Sequence, residues 1–257
     1  QASTQVTLGM GVRVRSGEQV GYAYSEDLAP EALRTAAKTA AGIAQSAAPQ
    51  SIPNPAAIDL PNHYPVVQPW DDVEIATRVQ MVRDWEQAAF NRDERIKRVE
   101  VSLSDAAKVV MIVRPDGRLV EDWRPMTRAS IRCTAEGMGP EGEIVRESNG
   151  YNIAGRAGLE YFDAARQEGL VETAVDRTLF LLDATSPAPG EMPVVLAAGP
   201  SAILLHEAIG HGMEADFNRK RISIYADKMN ASIANDQVTI VDDGTLLGAR
   251  GSINVDD

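Results

Sequence analysis

The residues with the clearest chemical potential are two histidines and a glutamate within six consecutive positions. His206, Glu207 and His211 follow the apolar pair Leu204 and Leu205, which can bury one side of a helix. Neutral imidazole is a good ligand for Zn²⁺, and a carboxylate beside an activated water molecule can take its proton. The chain contains three histidines, and two of them are in this stretch. The set therefore indicates metal-assisted hydrolysis.

The two histidines are five positions apart, one more than in the H-E-x-x-H signature of metallopeptidases. In a regular α-helix, positions five apart point about 140° away from each other, so both rings could not easily meet one ion. A one-residue π-bulge would bring them together, and such bulges are frequent at functional sites. Gly210 and Gly212 flank His211 and favour irregular backbone. The sequence therefore predicts a helix that is distorted or ends near His211.

A purely structural role for the two histidines is the alternative. Imidazoles near the end of a helix can hydrogen-bond its last carbonyl groups and interact favourably with the helix dipole. Only the geometry of the side chains decides between the two roles, because a motif is a hypothesis until its members are shown to converge.

The residues around the histidines resemble the segment that marks the TldD/PmbA family of zinc metallopeptidases, on the TldD side. This segment runs through residues 206–214 and continues with Asp-Phe-Asn-Arg at 216–219. Residues 9–18 are similar to the early hairpin of the same family, and residues 241–252 are similar to the segment that follows its metal helix. The resemblance extends from near one end of the chain to the other.

The resemblance implies roles for six residues. His206 and His211 would bind Zn²⁺, and Glu207 would accept a proton from the water that attacks a peptide carbonyl. Roles in supporting the metal ligands or orienting the substrate are implied for Glu214, Asp216 and Arg219.

Catalytic zinc sites normally have three protein ligands and a water molecule. The resemblance implies that the third ligand is a cysteine near the far C-terminus of full-length members, and no residue of this chain matches it. Full-length members also begin before Gln1 and continue past Asp257. We therefore expect an incomplete polypeptide that holds metal weakly or not at all.

The composition bounds the partners and the compartment. Asp and Glu number 37 against 25 Lys and Arg, so the formal net charge is −12. This balance argues against nucleic acid or an anionic membrane as a partner, because both attract clustered Lys and Arg. No apolar stretch approaches the length that spans a bilayer. The sole cysteine, Cys133, excludes an intrachain disulfide and fits a reducing compartment, so we expect a cytoplasmic protein with Cys133 buried in a strand.

The resemblance implies unfolded or modified peptides as substrates, enclosed between two subunits. We therefore expect a homodimer or a heterodimer with a PmbA-like subunit. The alternative is a catalytically silent subunit that binds peptide or supports a partner, because the PmbA-like half of such a pair lacks the metal helix. The intact His206, Glu207 and His211 favour the active half.

The residue patterning predicts an α+β fold in which an N-terminal antiparallel sheet of hairpins packs against helices. It is followed by the start of a second, β-rich domain that carries the metal-binding helix. The best boundary is the Pro- and Gly-rich stretch at 186–190. We expect residues 1–186 to form a substrate-gathering domain and residues 187–257 to begin the metallopeptidase domain.

Hydrophobic periodicity predicts the elements of the first domain. A hairpin is expected within residues 5–24, a helix over 30–47, a proline-rich loop over 49–69, and a helix to about 91 that Asp71 and Asp72 would cap. Strands are expected at 98–104 and 108–114, joined by a turn at 105–107, and then at 119–123, 126–137 and 144–152. A long helix follows over 159–184.

In the second domain, a buried strand at 192–197 is expected to lead into the metal helix, with Ser201 as its cap. A further strand at 237–241 is expected to end in a tight turn at Asp242 and Asp243.

Three arginines and one further histidine are additional candidates for a functional role. Arg124, Arg128 and Arg132 fall on near-alternate positions, as expected either of a solvated sheet face or of a surface that binds a substrate carboxylate. His63, in the proline-rich loop, is expected to be solvated rather than to serve as a third metal ligand.

Overall fold

A computed structural model describes residues 2–45, 53–139 and 142–256. Helices and strands are mixed along the chain, which confirms the predicted α+β class. The chain forms two compact units. One comprises the residues up to Asp59 together with Met111–Glu121, and the other comprises Leu60–Val110 and Asp122–Asp256.

The first unit contains the predicted N-terminal hairpin. Strand β1 (Met10–Ser16) pairs antiparallel with β2 (Gln19–Ser25). Gly17 turns the chain with a φ of +61°, a conformation that glycine adopts without strain. Helix α1 (Pro30–Ile43) packs against both strands. A side chain at Gly21 would collide with the backbone of α1, so the missing side chain allows helix and hairpin to approach closely.

The predicted proline-rich loop lies partly outside the described residues, which resume at 53. Its described part contains the short strand β3 (Ala56–Ala57). This strand pairs parallel with the first residues of β5 (Arg118–Met138), and its partners are Arg118 and Leu119.

The second unit contains most of three long strands. Strand β4 (Ile96–Val113) lies beside β5, and β6 (Ile144–Gly155) pairs antiparallel with the second half of β5. The turn predicted at residues 105–107 is wrong, because β4 runs through it without interruption. The sequence Asp-Ala-Ala contains no Gly, Pro or Asn to force a turn, and a neighbouring strand is available. The two strands predicted at 119–123 and 126–137 are likewise one strand.

Helix α2 (Ile75–Arg92) starts later than predicted. Asp71 and Asp72 do not cap it; they form a 3₁₀ turn with the buried Trp70, and Glu74 is the residue at the N-cap. Because Trp70 is anchored in the core, the chain turns there and the helix can start only afterwards.

Helix α3 (Ala164–Leu182) follows a 3₁₀ turn at Leu159–Tyr161, so the predicted long helix is shorter at its start. Asp163 caps it, since its side chain accepts a hydrogen bond of 2.8 Å from the backbone N–H of Arg166. Such a cap stabilises a helix by about 1 kcal/mol.

The hydrophobic core lies on one face of the long sheet. Helix α3 packs on β6, and α2 packs on α3. Cys133 is fully buried in this core, as predicted, and burial raises the pKa of its thiol to about 11. The buried core residues are Trp70, Val73, Trp85, Ala89, Ile96, Val99, Ala129, Ile131, Cys133, Ala135, Phe162, Leu170, Val171, Ala174 and Val175.

Residues 183–256 contain short helical segments and no strand, so the strands predicted at 192–197 and 237–241 are wrong. A strand needs a neighbour for its backbone hydrogen bonds, and no described segment pairs with either stretch. Ser201 makes no side-chain cap; its hydroxyl donates to the carbonyl oxygen of Ala197 instead.

A buried polar cluster ties the end of this stretch to the sheet. Asp122, 1% exposed, accepts hydrogen bonds from the Tyr64 hydroxyl (2.5 Å), the Arg124 guanidinium (2.6 Å) and the Asn254 amide (2.9 Å). Burial alone would raise the pKa of Asp122, but these three bonds outweigh it and hold that pKa below its usual value. The carboxylate therefore stays charged and connects segments that are about 60 to 190 residues apart.

Leu170 is expected to carry a large share of the core's stability. Leu170→Ala should lower the free energy of unfolding by about 2–5 kcal/mol, because the side chain is completely buried and its removal leaves a cavity. Phe180→Ala on the same helix is the matched control, since Phe180 is 72% exposed and should change stability by less than about 0.5 kcal/mol. Urea unfolding followed by tryptophan fluorescence measures both, and equal effects would contradict this packing.

Candidate functional site

The backbone changes type where the first histidine occurs. Helix α4 (Ala202–Leu205) continues into a π-helical turn at His206–Gly210 and then a 3₁₀ turn at His211–Met213. The backbone N–H of His211 donates to the carbonyl oxygen of His206, a bond across five residues rather than four. The predicted distortion of the helix near His211 is confirmed.

The wider turn brings the two imidazoles together. The ring centroids of His206 and His211 are 4.4 Å apart, with the ring planes at 70°. One nitrogen of each ring and a carboxylate oxygen of Glu207 lie within 4.8 Å of one another. Ligand atoms of a tetrahedral zinc ion at about 2.0–2.1 Å are about 3.4 Å apart, so small side-chain rotations would fit the three groups to one ion.

Glu207 faces the second imidazole. Its Oε2 lies 3.6 Å from Nε2 of His211, and both side chains are more than half exposed. An exposed carboxylate at this distance can reach either an ion held by the rings or a water molecule beside it.

Glu214 holds the other side of the His211 ring. Its Oε1 lies 2.6 Å from Nδ1, and this hydrogen bond raises the pKa of His211. A carboxylate only accepts hydrogen bonds, so the ring proton lies on Nδ1 and the lone pair of a neutral His211 lies on Nε2, toward Glu207. This carboxylate–histidine contact is the arrangement that orients imidazole ligands in metalloproteins.

Three residues missed by the sequence analysis fix the loop that carries Glu214. The Asn218 side chain donates to the carbonyl oxygens of Gly212 (3.0 Å) and Glu214 (2.9 Å). The Ser223 hydroxyl donates to the same Gly212 oxygen and accepts from the backbone N–H of Tyr225 (3.0 Å). Asn218 is part of the histidine motif, but no sequence signal marks Ser223 or Tyr225, which act through folding alone.

Asp216 and Arg219 lie on the next helix, α5 (Ala215–Arg219). The Asp216 carboxylate pairs with Lys220 at 3.2 Å instead of joining the histidines. Among the described residues, the carboxylates, thiols and imidazoles that converge are those of His206, Glu207 and His211.

Three further residues whose types could bind a metal, Cys133, His63 and Asp243, have structural roles instead. Cys133 is a core residue of β5, and His63 is held through its backbone, which bonds to Asn254 and Gly248. Asp243 accepts hydrogen bonds from the backbone and the hydroxyl of Thr245, which lower its pKa and confirm the predicted tight turn.

Sequence models of three domains from one protein family match this chain. The PmbA/TldA metallopeptidase domain 1 matches residues 1–44, the central domain matches residues 68–182, and the C-terminal domain matches residues 189–257. The C-terminal match includes the converging histidines. The chain belongs to the PmbA/TldD family of metallopeptidases.

Within that family it is similar to proteins named metalloprotease TldD homolog. The one from Haemophilus influenzae is 35% identical over 265 residues, which covers 100% of this chain and 54% of the relative. The one from Buchnera aphidicola subsp. Acyrthosiphon pisum is 31% identical, and the match covers 97% of this chain and 52% of the relative. The chain thus spans about half the length of these curated relatives.

Crystal structures show the same fold. A proposed modulator of DNA gyrase from Bacteroides thetaiotaomicron matches with a TM-score of 0.70 at 19% identity, over 96% of this chain and 58% of that one. A proposed modulator of a DNA gyrase from Thermotoga maritima matches with a TM-score of 0.63 at 15% identity. This match covers 86% of this chain and 48% of the other. At these identities the likeness concerns the fold.

Among the described residues, every helix is too short or too polar to cross a bilayer.

Gly212 is expected to be needed for the shape of this site. A Cβ at this position would lie 2.6 and 2.8 Å from two ring atoms of Tyr225, so Gly212→Ala should displace the ring and loosen the Glu214 loop. We expect the affinity of the site for a divalent metal ion to fall about tenfold, the size of effect seen when residues that orient metal ligands are changed. Competition with a chromophoric chelator measures it in the natural full-length protein.

Gly210→Ala is the control for this change. A Cβ there would meet the nearest atom, in the His206 ring, at 3.5 Å, which is an ordinary contact. Affinity should stay within about twofold of the unaltered protein, and equal losses in the two variants would show that the Tyr225 contact has no role.

Proposed function

We propose that this chain carries the metal- and water-handling residues of a zinc-dependent peptidase that hydrolyses unfolded or modified peptides. The observation that carries the proposal is the convergence of His206, Glu207 and His211 on one point. Relatives named metalloproteases support the reaction class. The same convergence favours a catalytic role over that of a silent peptide-binding subunit.

Zinc fits the donor set better than the other common divalent ions. The two imidazole nitrogens are typical zinc ligands, whereas Ca²⁺ and Mg²⁺ prefer shells made of oxygen. When bound, zinc supplies Lewis acidity, which polarises a peptide carbonyl and makes a water molecule easier to deprotonate.

Each side chain then has a distinct proposed task. His206 and His211 hold the ion through neutral ring nitrogens, and Glu214 keeps the His211 proton on Nδ1 so that Nε2 is available. Glu207 takes a proton from the attacking water and can deliver it to the amine that leaves. Asp216 and Arg219 are proposed to orient the substrate, because they directly follow the Glu214 loop on α5.

The setting of the site is also proposed. We infer a boundary between family domains at residues 186 and 187, inside the second compact unit, which is supported by the interval between the matched central and C-terminal domains. A homodimer or a heterodimer with a PmbA-like subunit would enclose the peptide. The cytoplasm is the proposed compartment, which is supported by the single, buried Cys133.

Glu207→Gln tests the role of the proposed base. The amide cannot accept the proton, so peptide cleavage by the natural full-length protein should fall by about 10²–10⁴-fold while bound zinc is retained. Zinc content by elemental analysis and cleavage of an unfolded polypeptide are measured on the same preparation.

Two comparisons complete this experiment. His206→Ala and His211→Ala should each lose zinc together with activity, whereas His63→Ala should keep both. Unchanged cleavage in Glu207→Gln would remove Glu207 from the mechanism, and loss of its zinc would make Glu207 a ligand instead of a base.

Glu214 is expected to tune how tightly the site holds metal. Glu214→Ala should weaken zinc binding by about 10–100-fold, because the His211 ring loses the contact that orients it. Zinc binding by Glu214→Gln should be intermediate between those of the unaltered protein and Glu214→Ala, since an amide oxygen still accepts a hydrogen bond from Nδ1. Asp216→Ala is the control, because its carboxylate pairs with Lys220. Zinc affinity should decrease in the order unaltered protein, Glu214→Gln, Glu214→Ala. Equal affinities in the three proteins would contradict the role of Glu214 in orienting His211.

A further inference from the structure

The long sheet has one covered face and one open face. Alternate residues of β5, such as Ile131 and Cys133, are buried under the helices. We use the name open face for the opposite set, which consists of the alternate residues 98–104 of β4, 128–136 of β5 and 146–154 of β6. These residues are exposed or half-buried and belong to the second unit.

The open face is polar. Ser102 and Ser130 share a hydrogen bond of 2.8 Å across β4 and β5, and Thr134 and Ser148 share one of 2.8 Å across β5 and β6. Gly150 contributes no side chain, and a Cβ there would collide with the backbone of β5 at 2.5 Å. Hydroxyl groups and bare backbone therefore surround the charged side chains of this face.

The charge of the open face is opposite to that of the protein. It carries four arginines and two glutamates, at 98, 128, 132 and 146 and at 100 and 136, which leaves two positive charges in a chain whose net charge is −12. Both glutamates are already paired within the face, Glu100 with Arg98 and Glu136 with Arg146. The positive excess therefore belongs to Arg128 and Arg132.

The three arginines noted in the sequence separate into two kinds. Arg124 is committed to the buried Asp122 and to the carbonyl oxygen of Val255. Arg128 and Arg132 are exposed on β5, and neither has a carboxylate partner among the described residues. Their neighbours on β6 are Ala154 and Gly150, which are too small to cover them.

We propose that the open face binds an extended, acidic stretch of polypeptide, whose carboxylates pair with Arg128 and Arg132. The two arginines are four positions apart along the strand, a distance of about 13 Å. Side chains on one side of an extended peptide repeat every two residues, so carboxylates four residues apart in the ligand match this spacing. A guanidinium group can form a bidentate pair with a carboxylate, through two parallel N–H···O hydrogen bonds. The ligand is taken to be the polypeptide substrate, so this inference rests on the proposed peptidase function.

The test uses fluorescence anisotropy of a labelled ten-residue peptide in which Glu alternates with Ser, with chelator present and Glu207→Gln in every protein. The Glu peptide should bind at least tenfold more tightly than the same peptide with Gln, although the net charge of the protein opposes it. Arg128→Gln/Arg132→Gln should weaken that binding by about tenfold, which corresponds to two modest surface ion pairs.

Lys38→Gln/Arg83→Gln is the matched control. Both residues are exposed, neither has an ion-pair partner among the described residues, and the change in net charge is the same. The control should stay within about twofold of the parent protein. Equal weakening in the two double variants would show a general charge effect and overturn the proposal, as would equal binding of the Glu and Gln peptides.

A nucleic acid is the other anion to be distinguished. Tighter binding of a labelled ten-nucleotide single strand than of the Glu peptide, lost in Arg128→Gln/Arg132→Gln, would also overturn the proposal. Because metal and cleavage are absent from this assay, its result is independent of the zinc and activity measurements. A failure here leaves the peptidase proposal standing, and a failure of the peptidase proposal does not alter the binding result.

Discussion

One backbone hydrogen bond governs the site. The N–H of His211 bonds to the carbonyl oxygen of His206 across five residues, which widens one turn of the helix. Without this wider turn, the two rings would point about 140° apart and could not share an ion. With it, the ring centroids lie 4.4 Å apart and Glu207 faces the same point. A local departure from α-helical geometry therefore creates the chemical arrangement, and π-turns of this kind are common where function needs them.

The contacts behind the rings make that arrangement specific. Glu214 sets the proton on His211, and Asn218 and Ser223 hold the loop that carries Glu214 by bonding to backbone carbonyl oxygens. The loop contains Gly212, against which the Tyr225 ring packs closely. Residues up to fourteen positions away from His211 thus take part in positioning its ring.

The sequence was most informative where spacing had a single geometric consequence. Histidines five apart, flanked by glycines, predicted the distorted helix, and alternating residues around Cys133 predicted its burial. It was least informative where a neighbour decides the outcome. Asp105, Ala106 and Ala107 are compatible with a turn or a strand, and β5 makes them part of a strand. Residues 192–197 have strand-like composition, but no described strand pairs with them.

The sequence by itself identified the two histidines and the glutamate that come together, the family to which the chain belongs, and the alternation that separates the two faces of the long sheet. These properties follow from residue type and local periodicity. Only the tertiary structure decided that Glu214 bonds to His211, that Tyr225 packs on Gly212, and that Arg124 is paired with a buried carboxylate while Arg128 and Arg132 are not. The physical reason is that hydrogen bonds and ion pairs depend on distances in space, which residue spacing alone does not specify.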